Sequence, residues 1–218
     1  VDVLWIGARS TVNPFTVQEI ADALKGVDIP VIIKNPINPD VDLWQGAIER
    51  LQKAGLTRIG AIHRGVSSYE KSIYRNMPQW QMPIELKRRI PNISIICDPS
   101  HIGGKRELLL QISQKAMDMN FDGLMIETHI DPDNAWSDAK QQITPKELNT
   151  LLNKLILREV HPNGISYDTL DDLRYKIDDF DKQLLDILKK RMDVVKNIGE
   201  YKKSNNMTIL QPDRWEEV

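Results

Sequence analysis

The stretch Ile93-Ser94-Ile95-Ile96-Cys97-Asp98-Pro99-Ser100-His101-Ile102-Gly103-Gly104 decides how this chain is read. Its first five residues are an almost unbroken apolar, β-branched run, as expected of a strand buried on both faces. The run stops in Asp, Ser and His. Two glycines then lead into a helical face formed by Leu109, Ile112, Ala116 and Met119. Strand, polar end and helix together make the repeating unit of a parallel sheet, whose connections must cross over.

Working outward, the same unit recurs. Apolar runs stand at Val3-Leu4-Trp5-Ile6, Val31-Ile32-Ile33, Ile59-Gly60-Ala61-Ile62 and Leu124-Met125-Ile126. Between them, Val17, Ile20, Ala21 and Leu24 share one helical face, and Leu43, Ala47, Ile48, Leu51 and Ala54 share another. Gly26, Gly55 and Asn120 sit where helices should end. The repeat predicts an α/β domain over residues 1–157, at about 31 residues per unit. Eight such units would give the ~250 residues of a (β/α)8 barrel. An open, doubly wound sheet is the competing architecture at this length.

Residues 158–168 carry the turn formers His161-Pro162-Asn163-Gly164 and read as a linker. From 169 to 218 the pattern changes. Leu170, Leu173, Ile177, Phe180, Leu184, Ile187, Val194 and Ile198 form a seam with steps mostly of three and four, predicting one helix of about 34 residues and ~50 Å. Thr169 with Asp172 resembles its capping start, and Ser204-Asn205-Asn206 a stop. Such a helix suggests pairing with other helices. Arg191 interrupts the seam, and a buried arginine there would need an anion.

Composition removes several classes of function. With 218 residues, 41% hydrophobic and 28% charged, the chain can build a core. A net charge of −2 gives no bulk attraction for nucleic acid. No run nears the ~18 apolar residues of a membrane span, and the opening residues do not read as a leader. The single cysteine, Cys97, excludes a disulfide framework, fits a reducing cytoplasmic compartment, and reads as a small buried hydrophobe. There is no initiator Met, and Val1 to Gly7 already read as a buried strand, so an internal fragment is expected.

Chemistry in a parallel barrel collects at the carboxyl ends of strands. Those ends hold Arg9, Lys34, His63-Arg64, Asp98-Ser100-His101 and Glu127 with His129, so three of the four histidines fall there. Arg9, Lys34 and Arg64 are cations on successive strands, suited to phosphate and carboxylate. His101, Glu127 and, one loop on, Asp138 are ligand types for a divalent metal of intermediate softness. Together they suggest a carbonyl substrate polarised by the ion beside a phosphorylated co-substrate held by cations. Gly103-Gly104 could offer backbone N–H groups to an anion or simply make a turn.

Ile6-Gly7-Ala8-Arg9, Lys34, His63-Arg64-Gly65, Asp98-Pro99-Ser100-His101-Ile102-Gly103-Gly104, Glu127-Thr128-His129, Ser137-Asp138 and Gln141-Gln142 occur in that order. The set resembles the 3-deoxy-D-arabino-heptulosonate 7-phosphate (DAHP) synthase family, which condenses phosphoenolpyruvate with erythrose 4-phosphate at the start of the shikimate pathway. The resemblance implies a partial (β/α)8 TIM barrel made of its last five units. It implies that Arg9, Lys34 and Arg64 hold phosphoenolpyruvate, that Lys34 and His101 are catalytic, and that His101, Glu127 and Asp138 bind a divalent ion such as Mn, Fe or Co. The family's fourth ligand, a cysteine on its first strand, and its Lys-Pro-Arg-Thr loop for the aldose phosphate do not occur here. This fragment alone is therefore expected to lack a complete synthase site.

Leu173-Arg174, Arg191, Gly199-Glu200-Tyr201-Lys202 and Asp213-Arg214 resemble the opening of an all-helical chorismate mutase. The resemblance implies that Arg174, Arg191, Lys202 and Arg214 bind chorismate, with Arg191 and Lys202 catalytic and no cofactor. Arg191 and Lys202, about 16 Å apart on nearly one azimuth, can share a pocket, whereas Arg174 lies roughly 42 Å from Lys202 and must serve another. A homodimer follows. A fused mutase that restrains the synthase allosterically is the family expectation. The rival readings are a 3-deoxy-manno-octulosonate 8-phosphate synthase-like barrel, and a helical tail that is only a dimerising or regulatory arm. Ile6-Gly7-Ala8-Arg9 and the mutase-like tail argue against the first, and Arg191 in the seam against the second.

Overall fold

In the computed structural model, residues 1–159 and 168–211 are described. The expected linker and Arg214 lie outside these, the linker all but its ends. The chain divides into two compact units, Val1–Val160 and His161–Val218.

The first unit alternates strands and helices. Its strands are β1 (Leu4–Ile6), β2 (Val31–Lys34), β3 (Ile59–His63), β4 (Ser94–Cys97) and β5 (Gly123–Leu124). Its helices are α1 (Ala8–Thr11), α2 (Pro14–Ala23), α3 (Val41–Lys53), α4 (Gln81–Arg89), α5 (Pro99–Gly103), α6 (Leu109–Asp118) and α7 (Pro145–Lys154). The strands are all parallel, in the spatial order β1-β2-β3-β4-β5. That order settles the architecture. A doubly wound sheet reverses direction at a switch point, whereas each strand here lies beside its sequence neighbour, as in the wall of a barrel. β5 is shorter than expected: Met125 still donates to Cys97 O at 2.7 Å, but Ile126 leaves the ladder.

Local chemistry starts the helices where the pattern asked. Asn13 accepts from Phe15 N and Thr16 N ahead of α2, and Asp40 accepts from Leu43 N ahead of α3. Thr144 and Glu147 form a reciprocal capping box on α7. The main core lies between sheet and helices, where Ile6, Ile33, Ala61 and Ile95 of adjoining strands meet Val17, Ala21, Ile48 and Leu51. Trp44 is fully buried there and still satisfies its indole, which donates to Ile33 O at 3.2 Å.

The second unit is dominated by one helix, α8 (Asp168–Ser204), of 37 residues, slightly longer than its seam predicted. Along its apolar stripe Leu173, Ile177, Phe180, Leu184, Ile187, Val194 and Ile198 are all exposed.

Candidate active site

Side chains along a strand alternate between faces, and the strand ends divide accordingly. Lys34 closes β2. Two strands over, Asp98 follows β4, and its carboxylate meets the Lys34 ammonium at 2.8 Å with both side chains buried. A buried ion pair holds only where the remaining lone pairs are used. Asp98 uses them: Oδ2 also lies 2.9 Å from His101 Nδ1, and Oδ1 accepts from His101 N at 3.0 Å, capping α5. Burial by itself would raise the Asp98 carboxyl, but His101 and Lys34 more than offset it and hold the group below its ordinary range.

Arg64 follows β3 and is also buried. Its backbone N–H donates to Asn35 Oδ1 at 2.7 Å, and its guanidinium donates to Asn76 Oδ1 at 2.7 Å. Burial lowers its pKa, while Asp98 and Asp138 act as attracting neighbours and Arg75 and Arg9 as repelling ones. Arg9, exposed on α1, therefore shares this electrostatic environment. Lys34 reaches the half-buried His101 through Asp98, and Arg64 reaches its backbone through Asn76.

That histidine, His101, lies with Glu127 and Asp138 in a cluster whose donor atoms all fall within 4.8 Å of one another. One imidazole nitrogen and two carboxylate oxygens, brought from three separate segments, are a donor set that suits a divalent transition ion. His101 Nδ1 is 3.6 Å from Glu127 Oε1, and the Glu127 N–H donates to Ser100 Oγ at 3.0 Å.

Two histidines expected at the site lie elsewhere. His63 is adjacent in sequence to Arg64 and so faces the other way. It is fully buried among Trp44, Trp80 and Phe121, with ring centroids 6.4, 5.4 and 6.4 Å away. Burial pushes its pKa down to about 4, which keeps it neutral and makes it part of the packing. His129 is turned into its own loop, with Nδ1 accepting from Asp131 N. Cys97 is buried and its thiol pKa is pushed well up by burial, as a small hydrophobe's would be. Gly103 and Gly104 make a turn: Gly104 has φ +64° and caps α5.

Sequence reasoning missed Arg75 and Asn76 as members of the site and gave no role to Gln141, although it quoted that residue. Arg75 and Asn76 lie in the long segment between β3 and α4, which has no periodicity to single them out.

Residues 1–161 match the family model described as DAHP synthetase I family. The chain belongs to that family. Residues 173–218 match a second model, described as chorismate mutase type II, so a member of the DAHP synthetase family here carries a mutase-type segment behind it. Phospho-2-dehydro-3-deoxyheptonate aldolase of Thermotoga maritima is 29% identical over 142 residues, covering 65% of this chain and 40% of that protein. A 2-dehydro-3-deoxyphosphooctonate aldolase of Agrobacterium fabrum is 28% identical over 123 residues, covering 51% of this chain and 42% of that one. The structure of a truncated 3-deoxy-D-arabino-heptulosonate 7-phosphate synthase from Thermotoga maritima superposes with a TM-score of 0.60 at 27% identity, covering 70% of this chain and 56% of that chain. The chain thus spans about two fifths of the length of these curated relatives.

On α8, Arg174 donates to Asp171 Oδ1 at 2.8 Å and Arg191 is exposed. Lys202 donates to Ile209 O at 2.9 Å, tying the returning chain to the helix.

Proposed function

We propose that the first unit supplies the later part of a site that condenses phosphoenolpyruvate with erythrose 4-phosphate to DAHP and phosphate. The observation that carries this reading is the buried Lys34–Asp98–His101 contact, which joins a cluster of cations to a cluster of metal-type ligands. Lys34 and Arg64, with Arg9 nearby, hold the phosphate and carboxylate of phosphoenolpyruvate and keep the enol carbon aimed at the aldehyde. A divalent ion on His101, Glu127 and Asp138 would supply Lewis-acid polarisation of that aldehyde. The enol C3 bonds to the aldehyde carbon, water adds at C2, and phosphate leaves from C2. Asp98, held ionised, fixes Lys34 as a cation and orients His101.

The second unit, in this reading, opens a chorismate mutase in which Arg191, Lys202 and Arg214 hold the dianion in its reactive conformer and stabilise charge on the ether oxygen. Arg174 serves the site of a second copy, and the exposed apolar stripe of α8 supports pairing into a homodimer. A reducing cytoplasmic setting suits a chain with one cysteine. Among the described residues no helix is long and apolar enough to cross a membrane.

The similarity to 2-dehydro-3-deoxyphosphooctonate aldolases favours a second reading, with arabinose 5-phosphate as acceptor. Phosphate release from phosphoenolpyruvate, offered with each aldose phosphate in turn, separates the two. Assayed in a protein carrying the complete barrel, turnover with erythrose 4-phosphate is expected, and turnover with arabinose 5-phosphate alone would reject the first reading. For the tail, Arg191→Ala in a protein carrying the complete mutase domain should abolish chorismate turnover; no such turnover before the substitution would reduce the tail to a dimerising arm.

A further inference from the structure

Arg75 lies outside every motif that marks the site, yet it touches both carboxylate ligands, one directly and one through a buried amide. Its Nη1 donates to Asp138 Oδ1 and to Gln141 Oε1, each at 2.7 Å. Gln141 is 1% exposed and passes the contact on, its Nε2 donating to Glu127 Oε2 at 2.8 Å. The direction of this relay is fixed by chemistry. Arg75 can only donate, so the amide oxygen must face it and the amide NH2 must face Glu127. The reversed amide would set an oxygen against the Glu127 carboxylate.

We propose that Arg75 is a positioning residue for the metal centre, presenting Asp138 directly and Glu127 through Gln141. The proposal rests on reading His101, Glu127 and Asp138 as the ligand set. Two carboxylates gathered around one point repel each other, and one adjacent guanidinium offsets that repulsion while each keeps an oxygen for the ion. Asp138 also needs holding, because its backbone is left-handed at φ +51°, a region a non-glycine residue occupies at a cost. Arg75 is itself anchored. Its N–H donates to Ile102 O at 3.0 Å, and Asn76 beside it donates to His101 O at 2.6 Å. The Arg75-Asn76 pair therefore touches the segments that carry His101 and Asp138, reaches Glu127 through Gln141, and reaches Arg64 through Asn76.

The test is Mn2+ affinity, read from the electron paramagnetic resonance signal of free Mn2+ with no substrate present. Arg75→Met and Gln141→Met should each raise the Mn2+ dissociation constant at least tenfold. The double variant should be little worse than Arg75→Met alone, because Gln141 acts only on the path that Arg75 begins. Arg75→Lys keeps a donor near Asp138 and should recover part of the loss; it also carries the test if Arg75→Met fails to fold. Unchanged or tighter Mn2+ binding in the Arg75 and Gln141 variants overturns the proposal, since Arg75 would then be a bystander or a competing cation. His101→Ala tests the underlying reading separately. If it leaves Mn2+ binding intact, the ligand set is wrong and the proposal falls with it.

Discussion

Lys34 and Asp98 form the most consequential pair of residues in the first unit, because each is buried and each answers the other's charge. Replacing Lys34 by Met leaves the Asp98 carboxylate in a dry site beside His101. We expect Lys34→Met to destabilise the unit by about 3 kcal/mol, measured by urea unfolding, and to abolish phosphoenolpyruvate binding. His63 makes the opposite kind of prediction. Its pKa is about 4 in the fold against 6.5 when exposed, so between those values the unfolded chain binds a proton that the folded chain refuses. Its contribution is complete above pH 6.5 and is lost as the pH falls toward 4, a swing on the order of 3 kcal/mol. His63→Phe should flatten that part of the pH–stability profile; a variant as acid-sensitive as the parent would show that His63 is not the group responsible. The contrast between His63 and Arg64 was legible in the alternation of a strand, but only once its inner face was known. Arg75 was not legible at all, since nothing local distinguishes it from the solvated cations around it.

At the scale of elements, the short helix α5 joins the two chemistries. Asp98 caps its start and binds Lys34, His101 sits in its first turn, and Gly104 ends it in the left-handed region. A Cβ on Gly104 would lie 2.6 Å from Arg75 Cβ, so this glycine is what lets the β3–α4 segment pass close enough to reach Asp138 and Gln141. Gly104→Ala should cost about 2 kcal/mol through backbone strain and the clash. It should also loosen Mn2+ binding by displacing Arg75, which thermal unfolding and the same resonance measurement would read together. Helix starts were readable in advance because a capping side chain and the N–H that donates to it lie within three residues, as with Asp40 and Leu43. The end of β5 was not, since Ile126 is as apolar as any strand residue and leaves the ladder for reasons outside its own segment.

For the whole molecule, the two units pose different problems. The first buries its apolar residues against its own helices. The second presents an exposed apolar stripe along a helix of 37 residues. If copies pair through that stripe, a charge in its middle should part them. Leu184→Lys is expected to halve the mass seen by light scattering after size exclusion, with phosphoenolpyruvate binding by the first unit retained. An unchanged mass would place the dimer contact elsewhere.

Periodicity, caps and the composition of strand ends lie in residues close together along the chain. The alternation of strand and helix, the long final helix, the cations at successive strand ends and the three ligand types could therefore be read along the chain. The rest depends on contacts between distant segments. Strand order excluded the doubly wound sheet. Register carried Lys34 past β3 to Asp98, 64 positions away. A loop without any pattern delivered Arg75 to Asp138 and Gln141, across separations of 63 and 66. Such pairings are set by how elements pack and where chains cross, which no local run of residues encodes.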